Sequence, residues 1–178
     1  TGALGGINEL TNNGRFNVLG GPVTVSSTVT NTGNITVANG QAFNFGTMTN
    51  SGRLVLGAGA PGTLSATFGG SVTGNAGSAF DMQNGAAGDT MTVKGGVSGT
   101  NTVAIDLDLT TTNGGVADVL TVDNALNDNV TVNVDAINPN GFTLQLTPIT
   151  VVDADSLGSN LTTTLTGDLP QDPKSGTL

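Results

Sequence analysis

The segment LTNNGRFNV at residues 10–18 decides the fold, because its pattern recurs twice. The segment VTNTGNITV begins 19 residues later (position 10 to position 29), and MTNSGRLVL begins a further 19 residues on, at position 48. The three copies share the pattern apolar-Thr-Asn-x-Gly-x-apolar-x-apolar. Six columns held in register three times indicate a structural repeat, even in a chain rich in Thr, Asn and Gly.

The apolar positions after each glycine alternate with the two-residue period of a β-strand. One side of this strand is therefore expected to face a core, while Asn17, Thr36 and Val55 point outward. The predicted core side chains are Phe16, Val18, Ile35, Val37, Leu54 and Leu56. A second strand in each repeat is predicted at 23–25, 43–45 and 64–68.

Each strand pair is joined by a corner that contains Asn and Gly. The glycines Gly14, Gly33 and Gly52 are expected there because glycine tolerates left-handed backbone. Stacked repeats would place Asn12, Asn31 and Asn50 about 4.8 Å apart. Their amides then either hydrogen-bond along the stack, as Asn ladders do, or each satisfy only their own turn. Both readings assign these side chains to the structure and not to catalysis.

A repeat of this length is too short for a pair of helices and suits one coil of a solenoid of strands. The sequence therefore predicts an all-β fold, a parallel β-helix. An antiparallel β-sandwich is the alternative, and the regular register disfavours it. No segment shows a 3.6-residue apolar period, so no helix is predicted.

The C-terminal half loses the strict repeat but keeps strand patterns. Two related strands, 89–93 and 118–122, lie 29 residues apart (position 89 to position 118). Between them, Val103–Leu109 alternates for seven residues. Further strands are predicted at 130–134, 142–146 and 149–152.

In this half the order of motifs resembles a known family. Gly88–Val93, Val103–Leu109, Ala117–Val122 and Pro148–Val152 follow one another as in the C-terminal passenger region of bacterial autotransporters. The coils upstream resemble the strand repeats of such passengers. The resemblance implies a right-handed parallel β-helix that is exported across the outer membrane and displayed at the cell surface.

The resemblance also implies a division of the chain. Residues 1–87 would be coils with the 19-residue repeat, 88–152 an autochaperone-like region that folds first, and 153–178 a linker or tail containing Pro170 and Pro173. The family's cap usually carries Tyr and Trp, and this chain has neither. The membrane barrel of the family is also absent, so we expect a passenger piece only.

The composition of the chain limits the classes of partner that it could bind. The formal charge is −9, with only Arg15, Arg53, Lys94 and Lys174 positive. Nucleic acids and anionic lipids are disfavoured, because phosphate binding requires clustered cations. No apolar run is long enough to cross a bilayer as a helix, so the protein would be displayed at the membrane and not inserted in it. The remaining partners are a second copy of the chain or a host-surface ligand.

Catalysis finds little support in the sequence. There is no His or Cys to serve as general base or thiol nucleophile. The acidic pairs Asp106/Asp108 and Asp153/Asp155 suggest either two Ca²⁺ ligands each or, as we favour, a solvated outer strand face. We therefore predict a structural or adhesive protein without cofactor or metal. The alternative is a β-helical carbohydrate-active protein, similar to a tailspike or polysaccharide lyase fragment.

Overall fold

A computed structural model describes residues 6–57, 63–108, 115–137, 149–159 and 162–167. In these ranges every regular element is a β-strand, so the prediction of an all-β chain is confirmed. The strands are β1 (Leu10–Asn12), β2 (Arg15–Val18), β3 (Val23–Thr24), β4 (Thr28–Asn31), β5 (Asn34–Val37), β6 (Gln41–Asn44), β7 (Thr47–Asn50), β8 (Arg53–Leu56), β9 (Ser65–Phe68), β10 (Ser71–Gly74), β11 (Ala79–Asp81), β12 (Thr90–Val93), β13 (Val97–Asp108), β14 (Val116–Ala117), β15 (Val119–Leu126), β16 (Asn129–Ile137), β17 (Val152–Leu157) and β18 (Thr162–Gly167).

The strands form one curled sheet in which neighbours run parallel. From β1 to β9, each strand pairs with the strand three positions later, so three successive strands make up one coil. Among the described strands, only the short β14 pairs antiparallel, with the end of β13. Parallel pairing between successive coils buries alternate residues of most strands from β4 to β16.

The three N-terminal repeats pair at the offset that the sequence pattern predicts. Leu10 lies opposite Val29, and Val29 opposite Met48. After the corner, Phe16 lies opposite Ile35, and Ile35 opposite Leu54. Identical columns therefore stack, which gives each inward side chain an apolar neighbour above and below.

The core runs along the inside of the curled sheet. Its aromatic part is contributed by Phe43, Phe68 and Phe80, all fully buried. Phe43 lies in register with Phe68, and its ring centroid is 5.4 Å from that of Phe16. Glycine-rich coils thus still enclose a continuous apolar interior.

The C-terminal half uses longer strands. β13 extends over 12 residues and continues two rows of strands. Its residues 97–99 pair with β10 and its residues 102–104 with β11. The corner between them is at Gly99, whose φ of 78° suits glycine. The two related strands also meet, since Thr90 pairs with Val119.

The described residues 153–159 and 162–167, which we expected to belong to a linker or tail, include strands. β17 pairs with β15, and β18 pairs with β16, so this part of the chain adds strands to the sheet. The cause is the β-branched content of 162–164, three threonines that favour strand conformation over a linker. The predicted strand 142–146, together with Pro170 and Pro173, lies outside the described residues.

Candidate functional site

The asparagine column forms a hydrogen-bonded ladder inside the first corner. Asn12 Nδ2 donates to Asn31 Oδ1 at 2.7 Å, and Asn31 Nδ2 donates to Asn50 Oδ1 at 2.7 Å. All three side chains are buried. A buried amide left without partners would cost about 1–3 kcal/mol, so the ladder ties each coil to the next.

The amides of Asn31 and Asn50 also serve their own corners. The second Nδ2 hydrogen of Asn31 is donated to Gly33 O at 3.1 Å, and that of Asn50 to Gly52 O at 3.0 Å. Asn12 donates instead to Asn34 O at 3.1 Å. The two readings of the sequence, a ladder or a local turn bond, therefore hold together.

The ladder continues beyond the strict repeat with different residues. Asn50 Nδ2 donates to Ser78 Oγ at 2.8 Å, and Ser78 Oγ donates to Asn101 Oδ1 at 2.8 Å. Gly74 occupies the backbone position in register with Asn50. A Cβ on Gly74 would lie 2.1 Å from Asn101 Oδ1, so a glycine there leaves room for the ladder.

The corner positions hold glycine for a different reason from the one that we expected. Gly14, Gly33 and Gly52 are absent from the positive-φ residues, so the corner does not need left-handed backbone at these positions. Instead, a Cβ on Gly33 would lie 2.1 Å from Gly14 O, and one on Gly52 would lie 2.0 Å from Gly33 O. Close stacking of backbones therefore excludes a side chain at Gly33 and Gly52, whereas a Cβ on Gly14 meets nothing within 4 Å.

Most of the predicted core residues lie inside the sheet. Val18, Ile35, Val37, Leu54 and Leu56 are buried. Phe16 is only partly buried and packs against the core from its edge, because β2 belongs to the first coil. The outward positions Asn17, Thr36 and Val55 are exposed or partly exposed.

The second polar feature of the interior is a cluster of three carboxylates, Asp89, Asp106 and Asp118. All three are fully buried. Asp89 immediately precedes β12, Asp106 lies on β13, and Asp118 lies between β14 and β15. We call these residues the carboxylate cluster. A buried ionised carboxylate is costly unless it is hydrogen-bonded.

The carboxylate of Asp118 accepts hydrogen bonds from the backbones of Asp89 and Asp106. Its Oδ1 accepts the N–H of Asp89 at 2.9 Å, and its Oδ2 accepts the N–H of Asp106 at 2.7 Å. Its own N–H donates to Asp106 O at 3.1 Å. One side chain therefore joins the start of β12 to the C-terminal part of β13.

Asp106 holds the segment 84–86 against the outside of β13. Its Oδ2 accepts three backbone N–H bonds, from Asn84 at 2.8 Å, Gly85 at 2.7 Å and Ala86 at 3.1 Å. Its Oδ1 is buried and has no hydrogen-bond partner. The cluster thus contains one acceptor atom that lacks a donor.

Asp89 completes the cluster. Its Oδ1 accepts the N–H of Leu64 at 2.7 Å, and its Oδ2 accepts Asn84 Nδ2 at 2.5 Å. The Leu64 bond connects the cluster to the preceding coil, just before β9. Segments from three coils therefore converge on these carboxylates.

This arrangement corrects the expectation that Asp106 and Asp108 form a solvated outer strand face. Asp108 is partly exposed, but Asp106 is fully buried. The alternation of β13 does direct Asp106 away from the core. The segment 84–86 then packs on that side, and strand periodicity carries no information about such a covering segment.

Burial changes the acidity of one member. Desolvation raises the pKa of Asp118 from 3.8 to about 7, against the lowering effect of the N–H bonds from Asp106 and Asp89. The charges of Asp89 and Asp106 raise this pKa further. Desolvation wins because the charged form loses more hydration than two N–H bonds restore.

The other described charged residues are exposed or partly exposed, except Asp81, which is buried. Asp153 and Asp155 are exposed. Arg53 pairs with Asp81, and Lys94 Nζ lies 2.5 Å from Asp123 Oδ2. In the part of the chain that the structure describes, no group of three or more acidic, His or Cys side chains could hold a metal ion.

A cleft of about 440 Å³ opens where β16, β17 and β18 end the sheet. The described residues of its lining include no titratable side chain that could act as an acid or a base. The lining residues are Leu126, Val130, Val132, Ile149, Thr150, Val151, Val152, Thr163 and Thr164.

Sequence reasoning did not assign a role to Asp89 or Asp118. The signal was present, because both precede the two related strands at the same position of the motif. A buried carboxylate and a surface carboxylate look alike in such a motif. Only the pairing of β12 with β15 places the two acids in adjacent coils.

No protein-family model matches the chain. No curated protein is significantly similar to it. No helix among the described residues is long and apolar enough to span a membrane. The role of the chain must therefore be argued from its own residues.

Proposed function

We propose that this chain is a passenger segment of a bacterial autotransporter, displayed at the cell surface or secreted, with a structural or adhesive role and no enzymatic activity. Its fold would be a right-handed parallel β-helix. The observation that carries the proposal is the parallel stacking of the repeats at their 19-residue offset, which the first asparagine pair spans. The order of motifs in residues 88–152 adds the family resemblance.

The buried position of the acids supports a role without catalysis. Glycoside hydrolysis requires two carboxyl groups that flank a bound sugar. The three clustered acids are fully buried, so a polysaccharide has no access to them. The buried Asp81 is paired with Arg53, and the partly exposed Asp123 is paired with Lys94. These features weigh against the carbohydrate-active alternative.

We further propose that the C-terminal half templates the folding of the coils before it. β13 and β16 pair continuously from Thr100–Asn129 to Asp108–Ile137. The strands β1–β12 have four residues or fewer. A solenoid is stabilised by contacts between neighbouring coils, so the half with longer pairings is the better nucleus.

Export provides the test of this function. Residues 1–178 would replace the passenger of a characterised autotransporter in a Gram-negative host, and surface exposure would be measured by protease accessibility on intact cells. We expect efficient display. A matched chain lacking residues 88–152 should be displayed poorly and degraded in the periplasm. Display unaffected by that deletion would refute the templating role, and periplasmic retention of the whole chain would refute the passenger assignment.

A further inference from the structure

The carboxylate cluster concentrates three acids in the interior without a compensating cation. In the described ranges, no Lys or Arg is paired with Asp89, Asp106 or Asp118. The groups that contact them are backbone amides and the side-chain amide of Asn84. Three buried negative charges so close together repel one another, which favours uptake of a proton by one of them.

The hydrogen bonds indicate where the cluster lacks a proton. Six bonds to the three side chains come from N–H donors of the backbone, and one comes from Asn84 Nδ2. Asp106 Oδ1 nevertheless remains buried without a donor. An orphaned buried acceptor is unfavourable, and a carboxyl proton is the donor that would relieve it.

The side chains that face the cluster are all acidic or neutral. Asp89 approaches from the start of β12 and Asp106 from β13, while segment 84–86 contributes amides only. Asp108, two residues along β13, is the other titratable group on that strand and is partly exposed. The described neighbourhood therefore holds no positive charge that would keep all three acids ionised.

We propose that the carboxylate cluster is a proton-binding site, in which Asp118 holds a proton that tightens the junction of three coils in mild acid. Asp118 is the best holder because it is fully buried and lies between the other two carboxylates, whose charges both oppose its ionisation. Uptake involves no covalent change other than protonation of a carboxylate by solvent. This inference does not depend on the proposed function.

The sign of the pH effect follows from the pKa of Asp118, which burial raises from 3.8 to about 7. The folded chain holds this proton more tightly than the unfolded chain does. Its stabilising contribution is therefore complete below the unfolded value and is lost as the pH rises through about 7. The usual buried, salt-bridged Asp shows the opposite trend.

The direct test is a carboxyl-carbon NMR titration of the wild-type protein. We expect the Asp118 resonance to titrate near pH 7. Titration of Asp118 below about pH 5, close to the ordinary range of a carboxyl, would overturn the proposal. This measurement needs no variant and holds whether or not a substitution folds.

The second test links the proton to stability. The unfolding equilibrium constant of the wild type, from urea titrations, should fall by about tenfold per pH unit between about pH 7 and 5. Asp118→Asn should abolish this dependence, because Asn stays neutral at every pH. The control Asp153→Asn should retain it. An unchanged pH dependence in Asp118→Asn would overturn the proposal.

Discussion

Ser78 takes the place of an asparagine beside Asn50, whose Nδ2 donates to Ser78 Oγ at 2.8 Å. The hydroxyl then donates to Asn101 Oδ1, also at 2.8 Å. Serine can do this because one hydroxyl accepts and donates at once. The buried ladder therefore continues through the coil in which the 19-residue repeat has ended.

Replacing Ser78 by Ala should show how much its two hydrogen bonds contribute to the stability of the protein. The substitution leaves Asn50 Nδ2 and Asn101 Oδ1 buried without that partner, so the free energy of unfolding should fall by about 1–3 kcal/mol. Urea unfolding provides the measurement. Ser26→Ala is the matched control, since Ser26 is exposed, and it should change the free energy by less than about 0.5 kcal/mol. Equal effects would mean that the ladder contributes nothing specific.

Two of the corner glycines, Gly14 and Gly33, offer a matched pair of substitutions. Gly33→Ala brings a Cβ to 2.1 Å from Gly14 O, so adjacent coils must separate. Gly14→Ala meets nothing within 4 Å, since no described coil precedes it. We expect Gly33→Ala to lower the thermal midpoint strongly and Gly14→Ala to leave it nearly unchanged, as measured by circular dichroism. Comparable midpoints would contradict the close stacking of the corners.

Leu54 tests the direction in which the strands face. It is fully buried on β8, so Leu54→Ala should cost about 2–5 kcal/mol of unfolding free energy. Leu19 is 68% exposed, and Leu19→Ala serves as the control with a change near zero. A loss below about half a kcal/mol at Leu54 would place its side chain outside the core.

The sequence was most informative where the repeat is strict. Column matching gave the partner strands and the inward positions of residues 10–56, since a fixed offset fixes the register. It could not give Ser78, because the ladder there passes to a different residue type, 28 positions from Asn50. It also failed at Asp106, because alternation tells on which side of a strand a residue lies and not whether a distant segment covers that side.

The last prediction concerns which part of the chain folds by itself. The boundary between residues 87 and 88, taken from the motif order, separates the carboxylate cluster from its donors. Asn84, Gly85 and Ala86 supply three N–H bonds to Asp106. A fragment that starts at residue 88 therefore lacks both the segment that covers Asp106 and its three N–H bonds, whereas one that starts at 79 keeps them together with β11.

We accordingly expect fragment 79–178 to retain β-type circular dichroism and protease resistance, fragment 88–178 to be less stable, and fragment 1–78 to be largely unfolded. The reason is that the long β13–β16 pairing and most of the cluster's hydrogen bonds lie within 79–178. Urea unfolding of the three fragments at equal concentration provides the comparison. If 1–78 proved more stable than 79–178, the folding nucleus would lie in the short coils, and templating by the C-terminal half would be wrong. If 79–178 and 88–178 were equally stable, the bonds to segment 84–86 would contribute nothing to that nucleus.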